Sequence, residues 1–282
     1  MLKQKQRLDK VNVRIESGSL LLSDKDILNN LNVSIKSSDV WYFSQPDERF
    51  GQNHYPGKTF AQLVFNTLYF FTEKGDLVVD PMAGGGVVGD VCKVMGRRCY
   101  MYDVNPPPPP PPSAVVRKKR IVKRYDLVLQ GLPKEAENAD LVFWDPPYYK
   151  KKKEEYGPQS ISALPREEYL KVFEDVAAAN QFAKKGVKKV ALLISNYDDE
   201  YNGHPEENIF IHDYINQFEK TGKWRVCRII DCPFSSNLIS APLAAYCIES
   251  KKMARLSRYL IIFVRSSIIS DSVNGSNNND DK

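Results

Sequence analysis

The sequence predicts an α/β protein with one mostly parallel, doubly wound sheet and helices on both faces of it. Two observations predict this class. Short apolar strand segments alternate with amphipathic helical segments along most of the chain, and one strand leads through a glycine cluster directly into a helix. Two consecutive strand segments late in the chain predict an antiparallel edge strand that completes the sheet.

The first elements are a helix, a strand, a glycine turn and a second helix. Apolar residues from Phe60 to Phe71 recur at spacings of three and four, which is typical of one buried helical face. Gly75 ends this helix, and Leu77–Val79 is a short apolar run of the kind that forms a buried strand. The apolar spacing then returns from Val87 to Met95, which predicts the second helix.

The alternation continues through the second half of the chain. Pro165 suits the first position of a helix because its φ angle is already near the helical value. The remaining predicted elements are, in order, strands at Cys99–Tyr102 and Leu141–Trp144, a helix over Pro165–Asn180, a strand at Val190–Ser195, a helix around Ile211–Phe218, and strands at Trp224–Asp231 and Tyr259–Val264.

Composition divides the chain into one domain with two flanking segments. Residues 1–40 are polar with weak alternation and are predicted to be an N-terminal extension, whereas residues 41–265 carry the α/β pattern. Residues 266–282 are polar and are predicted to be a disordered tail. The seven consecutive prolines Pro106–Pro112 exclude a helix or a central strand. Because the pattern resumes afterwards, residues 106–124 are predicted to be a proline-rich, basic loop inserted in one domain.

The composition is that of an ordinary globular protein of 282 residues, with 40 Lys+Arg, 35 Asp+Glu and a net charge of +5. No apolar run approaches the ~20 residues that a bilayer-spanning helix needs, and the basic N-terminus lacks the apolar segment of a secretory signal. We therefore expect no membrane partner and a cytoplasmic location. The three histidines are too scattered in the sequence to predict a metal site.

A glycine-rich segment, Asp80–Gly86 (DPMAGGG), follows the first predicted strand. Glycines at the carboxyl end of a strand let a ligand approach the backbone, and the next helix offers free N–H groups. A nucleotide-like cofactor is the natural occupant, although a tight turn without a ligand would use the same glycines. Asp103 ends the next strand, about 20 residues later, where a carboxylate can accept hydrogen bonds from ribose hydroxyls.

The second motif is Asp145-Pro146-Pro147-Tyr148, at the end of the strand Leu141–Trp144. Two prolines remove two N–H donors and leave rigid carbonyl acceptors beside an acidic side chain and an aromatic ring. This combination predicts a receptor for an exocyclic amine. Asp145 would accept from one N–H and the Pro146 carbonyl from the other, while Tyr148 would stack on the base.

These two motifs resemble those of the DNA amino-methyltransferases that use S-adenosylmethionine, the adenine-N6 and cytosine-N4 methylases. DPMAGGG is similar to the family's cofactor motif and DPPY matches its catalytic motif. The segment His54–Lys58 looks like the family's methionine-side cofactor element. The resemblance covers roughly residues 41–265 and implies a Rossmann-like methyltransferase fold. Met82 in place of the usual Phe and the run Pro106–Pro112 depart from the family pattern.

The resemblance also implies roles for individual residues. In the cofactor site, Asp103 would hold the ribose and Asp126 the adenine, and the remaining contacts would come from Asp80, Ala83, Gly84 and Gly86. In the catalytic site, the resemblance implies that the motif residues Asp145, Pro146, Pro147 and Tyr148 bind and stack the target base. An Asp at the head of this motif favours adenine N6 over cytosine N4.

A base inside a duplex must be flipped out before its amine can be methylated, so positive charge is expected near the catalytic loop. Lys150, Lys151, Lys152 and Lys153 follow the motif directly, and with Tyr149 they are predicted to contact phosphates and bases. A solvated loop, partly neutralised by Glu154 and Glu155, is the alternative. The predicted partner is DNA, either a duplex with a flipped base or a single strand.

Two other functions remain open from the sequence. RNA methyltransferases that modify adenine or guanine amines also carry DPPY-like motifs, although no RNA-binding appendage is visible here. A catalytically silent module that binds nucleic acid or senses the cofactor is the alternative from outside the enzymes, should the proline run disrupt the cofactor site. No large target-recognition domain is evident, so loops, a specificity partner or a homodimer would supply recognition.

Overall fold

The computed structural model describes residues 22–53, 55–107, 121–150, 160–182, 188–198, 204–234, 239–251 and 253–266. Within these residues, seven strands form a single sheet: β1 (Leu77–Asp80), β2 (Arg98–Asp103), β3 (Val122–Arg124), β4 (Leu141–Trp144), β5 (Lys189–Ile194), β6 (Trp224–Asp231) and β7 (Tyr259–Arg265). The strand order in the sheet is β3-β2-β1-β4-β5-β7-β6.

The helices of the same described ranges are α1 (Asp24–Leu31), α2 (Ala61–Phe71), α3 (Val87–Val94), α4 (Leu127–Gln130), α5 (Arg166–Ala178), α6 (Ile211–Glu219) and α7 (Ala241–Glu249). Short 3₁₀ turns occur between several of these elements. The predicted helices and strands are confirmed, whereas α1, α4, α7 and β3 were not predicted. Among the described residues, no helix combines the length and the apolar character that crossing a membrane requires.

The carboxyl ends of the parallel strands lie at one edge of the sheet. The neighbours β3, β2, β1, β4 and β5 run parallel, whereas β7 is antiparallel to both β5 and β6. The reversed strand therefore lies second from the edge, within the antiparallel pair that was predicted. This order, with β7 reversed, is the Rossmann-like methyltransferase fold. The strand order reverses between β1 and β4, and in open α/β sheets ligands bind at such a switch point.

The core lies on both faces of the sheet because successive strand residues point to opposite sides. Val78 packs in the core on the side of α1, α2 and α3, whereas its neighbour Val79 belongs to the core on the side of α5 and α6. Phe143 and Trp144 in β4 divide between the two faces in the same way. All four side chains are fully buried, which explains why these strands are continuous apolar runs.

The predicted boundary of the domain at residue 41 is wrong. Helix α1 lies within the predicted extension, yet Ile27, Leu28 and Leu31 are buried in the same core as α2 and α3. The buried Arg97 side chain binds both carboxylate oxygens of Asp24, at 2.6 and 2.8 Å. The described part of residues 1–40 is therefore integral to the domain, because its apolar residues complete one face of the core.

The predicted inserted loop at 106–124 also needs correction at its end. Val122–Arg124 forms β3, which pairs with Met101–Asp103 of β2 at the edge of the sheet. This strand was not predicted because its side chains are mostly polar and half-buried or exposed. Residues 108–120, which include most of the proline run, lie outside the described residues, as do residues 267–282 of the predicted tail.

Candidate active site

A cavity of about 580 Å³ opens at the carboxyl ends of β1, β2 and β4. This is the position of the switch point in the strand order. Three segments form most of its wall: the glycine turn after β1, residues 55–60 before α2, and the Asp145–Tyr148 motif after β4. The fold thus brings together the two motifs that the sequence separates by about 60 positions.

The glycine turn after β1 has a backbone that favours glycine. Gly84 has φ +47° and Gly86 has φ +76°, both in the left-handed region that other residues rarely adopt. A Cβ on Gly84 would lie 2.7 Å from Cε1 of Tyr55, so space also demands glycine there. The Ala83 N–H donates to the Tyr102 carbonyl at 2.8 Å and ties the turn to β2. Ala83 and Gly84 line the cavity as predicted for cofactor contacts, whereas Gly86 does not line it and is the N-cap residue of α3.

Asp103 lies at the end of β2 and supports the glycine turn from the adjacent strand. Its Oδ2 accepts the Gly84 N–H at 2.8 Å, and its Oδ1 accepts the Asn105 N–H at 2.8 Å. The side chain lines the cavity and is buried. Burial raises the pKa of the Asp103 carboxyl, although the two backbone N–H groups oppose this shift. Each carboxylate oxygen retains a lone pair for a ligand donor.

Asp80 has a different position from the one predicted. It ends β1, is 2% exposed and accepts the Met82 N–H at 3.2 Å, but it does not line the cavity. Burial raises the pKa of Asp80 well above its usual value, and the nearby charges of Asp145 and Asp103 add to this effect. Asp80 therefore supports the backbone of the turn. Its predicted direct contact with a cofactor is not possible from this position, because the side chain does not line the cavity.

The segment before α2 forms part of the cavity wall. The Gln52 N–H donates to the Gly85 carbonyl at 2.9 Å, which holds this segment against the glycine turn. Tyr55 then packs on Gly84, and burial together with the charges of Asp103 and Asp80 raises the pKa of Tyr55 to about 12. Tyr55 to Lys58 line the cavity, next to the glycine turn as the resemblance implies; His54 lies outside the described residues.

Asp145 lies at the other end of the cavity with a partner on each carboxylate oxygen. Oδ2 accepts the Thr59 hydroxyl at 2.5 Å, and Oδ1 accepts the Tyr148 hydroxyl at 3.0 Å. Desolvation raises the pKa of Asp145, while the Thr59 bond, the Arg258 charge and the Tyr148 bond act in the opposite direction. Burial and the negative charge of Asp145 raise the pKa of Tyr148 well above its usual value, so its hydroxyl remains a donor.

The two carbonyls of the proline pair differ in their partners. The Pro147 carbonyl accepts the Tyr169 hydroxyl at 3.2 Å. For the Pro146 carbonyl, no donor is found among the residues that the structure describes. Pro146 and Pro147 both line the cavity. Acceptance of an amine N–H by the Pro146 carbonyl stays a prediction.

Arg258 is a site residue that the sequence analysis missed. It lines the cavity, is 4% exposed, and donates from Nε to the Cys232 carbonyl at 3.0 Å. Its guanidinium carbon lies 5.3 Å from the ring centroid of Phe60 and 4.5 Å from that of Phe234. Arg258 directly precedes β7, whose reversed direction brings its amino end to the edge where the other strands end. An antiparallel strand was predicted in this region, and the residue before such a strand is expected at this edge, which is the signal that could have identified Arg258.

Asp126 lines the cavity, but one of its oxygens has a structural role. Oδ1 accepts the N–H groups of Val128 and Leu129 at 3.0 and 3.1 Å and thereby caps α4. Such a cap is typical of Asp before a helix. Contact of Asp126 with a cofactor adenine therefore remains a prediction for the part of the side chain that faces the cavity.

The structure contradicts the predicted contact of Tyr149 with a nucleic-acid base. This side chain is 1% exposed, packs on Tyr169 and Tyr197, and donates its hydroxyl to Glu207, so it cannot stack on a base. Lys150 forms an ion pair with Glu207 at 3.1 Å. The other predicted contacts, Lys151 to Lys153, lie outside the described residues.

Comparison with known protein families and with curated protein sequences finds no match for this chain. Solved structures show likenesses at low identity. The N-methyltransferase NodS from Bradyrhizobium japonicum, in complex with S-adenosyl-L-homocysteine, is 10% identical with a TM-score of 0.41; the match covers 73% of this chain and 85% of that one. Magnesium protoporphyrin IX methyltransferase from Synechocystis is 13% identical with a TM-score of 0.42, covering 72% and 80%.

A TehB-like methyltransferase from Corynebacterium glutamicum is 11% identical with a TM-score of 0.39, and the match covers 71% of this chain and 85% of that one. All three TM-scores lie below 0.5. The fold of this chain is therefore assigned from its own strand order, and its candidate site from the residues described above.

Proposed function

We propose that this protein transfers a methyl group from S-adenosylmethionine to an exocyclic amine of a DNA base, with adenine N6 as the target. The observation that supports this proposal most directly is the juxtaposition in one cavity of two parts. One is the glycine turn with Asp103, and the other is the Asp145 carboxylate beside the open Pro146 carbonyl.

The residues at the first end of the cavity suit the proposed cofactor. The Asp103 oxygens can accept hydrogen bonds from ribose hydroxyls, and Gly84 leaves the backbone open to close approach. A cavity of about 580 Å³ lies within the range of roughly 300–1,000 Å³ that is usual for sites of small ligands and cofactors. Val128, Leu127 and Asp126 offer apolar and polar contacts for an adenine ring at the far wall.

The residues at the second end suit an amine that offers two N–H donors. The Asp145 carboxylate accepts one donor through a lone pair that Thr59 and Tyr148 leave available. The Pro146 carbonyl accepts the other. Hydrogen bonds to these two acceptors would draw the N–H groups out of the plane of the base, which takes the nitrogen lone pair out of conjugation with the ring and leaves it available for attack on the methyl group.

S-adenosylmethionine would supply an electrophilic methyl group on a sulfonium sulfur, and the products are the methylated amine and S-adenosylhomocysteine. The nitrogen lone pair forms the new N–C bond while the S–C bond breaks and its electron pair stays on sulfur. The nitrogen then releases one proton, which Asp145 or water accepts. Asp145 and Pro146 contribute by positioning the amine and by stabilising its developing positive charge.

The choice of a DNA base as acceptor is supported by the DPPY motif and by the ring of Tyr148, which lines the cavity close to Asp145. A flipped base costs a few kcal/mol to extrude, and stacking on an aromatic ring offsets part of this cost. In the lysine-rich segment, Lys151, Lys152 and Lys153 would contact the DNA backbone. A specificity partner or a homodimer, and a cytoplasmic location, are parts of the same proposal.

The test is transfer of tritiated methyl groups to unmethylated duplex DNA, single-stranded DNA and tRNA. Wild type is compared with Asp145→Ala and with Asp198→Ala. Asp198 is a matched control because it follows β5, which ends at the same edge of the sheet, but it pairs with Arg255 and does not line the cavity. We expect labelled N6-methyladenine in DNA from wild type and from Asp198→Ala, and at least a hundredfold less from Asp145→Ala.

Each substrate reports on a separate part of the proposal. Labelling of tRNA alone would replace DNA by RNA as the acceptor. Labelled cytosine would move the target from adenine N6 to cytosine N4. If none of the three nucleic acids is labelled while the protein still binds DNA, the enzymatic proposal is overturned and the protein is a nucleic-acid-binding module.

A further inference from the structure

The Asp145–Tyr148 motif is held from outside the cavity by a buried hydroxyl. Tyr169 lies in α5, is fully buried and does not line the cavity, yet its hydroxyl donates to the Pro147 carbonyl at 3.2 Å. A buried tyrosine hydroxyl usually has a hydrogen-bond partner, and here the partner is the backbone of the motif itself. Burial raises the pKa of Tyr169 well above its usual value, so the hydroxyl keeps the proton that it donates.

This hydrogen bond acts on a backbone angle that the proline ring leaves free. The ring of Pro147 fixes its φ angle, and the peptide bond that follows is planar. The ψ angle of Pro147 is therefore the soft dihedral before Tyr148. Because the Pro147 carbonyl and the Tyr148 N–H share one peptide plane, a donor that holds this carbonyl fixes the plane from which Tyr148 continues the chain.

The backbone beyond Tyr148 is fixed as well. The next side chain, Tyr149, is buried and packs on the Tyr169 ring, with 5.1 Å between the ring centroids. Lys150 has φ +51°, which is rare for residues other than glycine, and its N–H donates to the Ser162 carbonyl at 3.0 Å. Contacts outside the cavity thus hold the chain on both sides of Tyr148.

We infer that Tyr169 is a positioning residue whose hydroxyl holds the Pro147 carbonyl, so that the Tyr148 ring keeps the orientation in which it stacks on the target base. The inference rests on the proposed function. The Tyr148 hydroxyl donates to Asp145 at 3.0 Å and ties the far end of the same ring. Tyr169 acts through the motif and touches neither base nor cofactor, because it does not line the cavity.

The first test is the rate of single-turnover methyl transfer to DNA in wild type, Tyr169→Phe and Thr67→Val. Tyr169→Phe removes one oxygen and keeps the ring. Thr67→Val is the matched control, because the Thr67 hydroxyl is also fully buried and donates to a backbone carbonyl, that of Leu63 at 2.9 Å, without lining the cavity.

We expect the rate to fall by about three- to tenfold in Tyr169→Phe, which is the range that a neutral hydrogen bond allows. The affinity for S-adenosylhomocysteine, measured by calorimetry, should stay the same. Thr67→Val should keep the wild-type rate. A wild-type rate in Tyr169→Phe, or an equal loss in Thr67→Val, overturns the inference.

Two further variants separate positioning from a general structural effect. With 4-aminophenylalanine at position 169, a donor and the ring are both kept, so the rate should lie within about twofold of wild type. In a Tyr148→Ala background, Tyr169→Phe should cost less than about twofold, because the ring that it orients is absent. Failure of 4-aminophenylalanine to restore the rate, or full additivity with Tyr148→Ala, overturns the inference.

The last test does not depend on catalysis. Pro147-Tyr148 is the single Pro-Tyr pair in the sequence, so protein labelled with carbonyl-¹³C proline and ¹⁵N tyrosine gives one carbonyl–amide correlation in an HNCO spectrum. We expect this correlation to move in Tyr169→Phe and to stay in place in Thr67→Val. The 4-aminophenylalanine protein should also shift the carbonyl resonance, since an amine is a weaker donor than a phenol, so the comparison holds even if Tyr169→Phe does not fold.

The outcomes distinguish the two proposals. An unmoved correlation in a folded Tyr169→Phe protein overturns the inference about Tyr169. A correlation that moves as expected, in a protein that methylates no nucleic acid, would mean that the proposed function has failed while Tyr169 still holds the motif.

Discussion

The Thr59 hydroxyl donates a hydrogen bond of 2.5 Å to Oδ2 of Asp145, although the two residues are 86 positions apart. Thr59 lies just before α2 and Asp145 just after β4, so the contact joins two walls of the cavity. The bond fixes one oxygen of the carboxylate, and the Tyr148 hydroxyl holds the other.

Replacement of this donor should slow methyl transfer. Thr59→Val keeps the shape of the side chain but removes the hydroxyl. A hydrogen bond to a charged group contributes about 1.5–3 kcal/mol, so we expect a roughly ten- to hundredfold loss of kcat. Thr59→Ser keeps the donor and should retain most of the activity. Steady-state kinetics with saturating cofactor provides the measurement, and equal losses in the Val and Ser variants would contradict a role for the hydroxyl.

The glycine turn should tolerate no side chain at Gly84. In Gly84→Ala the new Cβ would meet the Tyr55 ring and the backbone would stay in the left-handed region, so cofactor affinity should fall at least tenfold. Gly75→Ala is the control, because Gly75 has φ +84° but nothing lies within 4 Å of its added Cβ. Both changes should lower the free energy of unfolding by about 1–2 kcal/mol. Calorimetry with S-adenosylhomocysteine should distinguish them, and equal affinities would contradict the cofactor site.

The buried Asp80 should make the folded protein less stable at neutral pH. Burial raises its pKa well above the ordinary value of 3.8, so the folded protein holds this proton at pH values at which the unfolded chain has released it. Stability from this group therefore increases as the pH falls through the raised value. We expect Asp80→Asn to be more stable than wild type at pH 7, and the difference to shrink on acidification.

Asp140 provides the opposite case in the same experiment. Partial burial acts to raise its pKa, but bonds from Lys188 and from the Leu77 N–H lower it below 3.8. Its stabilisation is present at pH values above 3.8 and is lost as the pH falls through the lowered value. Asp140→Asn should therefore be less stable than wild type at pH 7, with the difference vanishing in acid. Urea unfolding across this pH range measures both effects, and the same sign for both variants would contradict the assignment.

The lysine-rich segment should account for part of the salt dependence of DNA binding. Each phosphate contact contributes about 0.9 to the slope of log K against log salt concentration for duplex DNA. Replacement of Lys151, Lys152 and Lys153 by Ser should then reduce this slope by up to about 2.7.

The matched control removes the same number of charges from Lys171, Lys188 and Lys220. Each of these lysines is engaged in an ion pair, with Asp175, Asp140 and Glu174 respectively. Fluorescence anisotropy at several salt concentrations is the measurement. If both triple variants reduce the slope equally, only the net charge matters and the segment is not a contact site.

Local sequence patterns predict the α/β class, most of the strands and helices, and the two motifs. These features are local, because the spacing of apolar residues indicates a helix or a strand and because glycines or prolines indicate a turn within a few residues. Helix α1 was missed because its short apolar stripe lies in a polar segment, and β3 because an edge strand of three residues carries little apolar pattern.

Which side chains meet in the cavity depends on contacts between distant parts of the chain. Thr59 and Arg258 belong to no local motif. They line the same cavity as Asp145 because the order of the strands and the reversal of β7 bring three distant ends to one edge of the sheet. The same packing buried Tyr149 against Tyr169 and placed Asp80 beneath the turn. Spacing along the chain encodes which face a residue shares with its neighbours, whereas contacts across the sheet depend on how the whole chain folds.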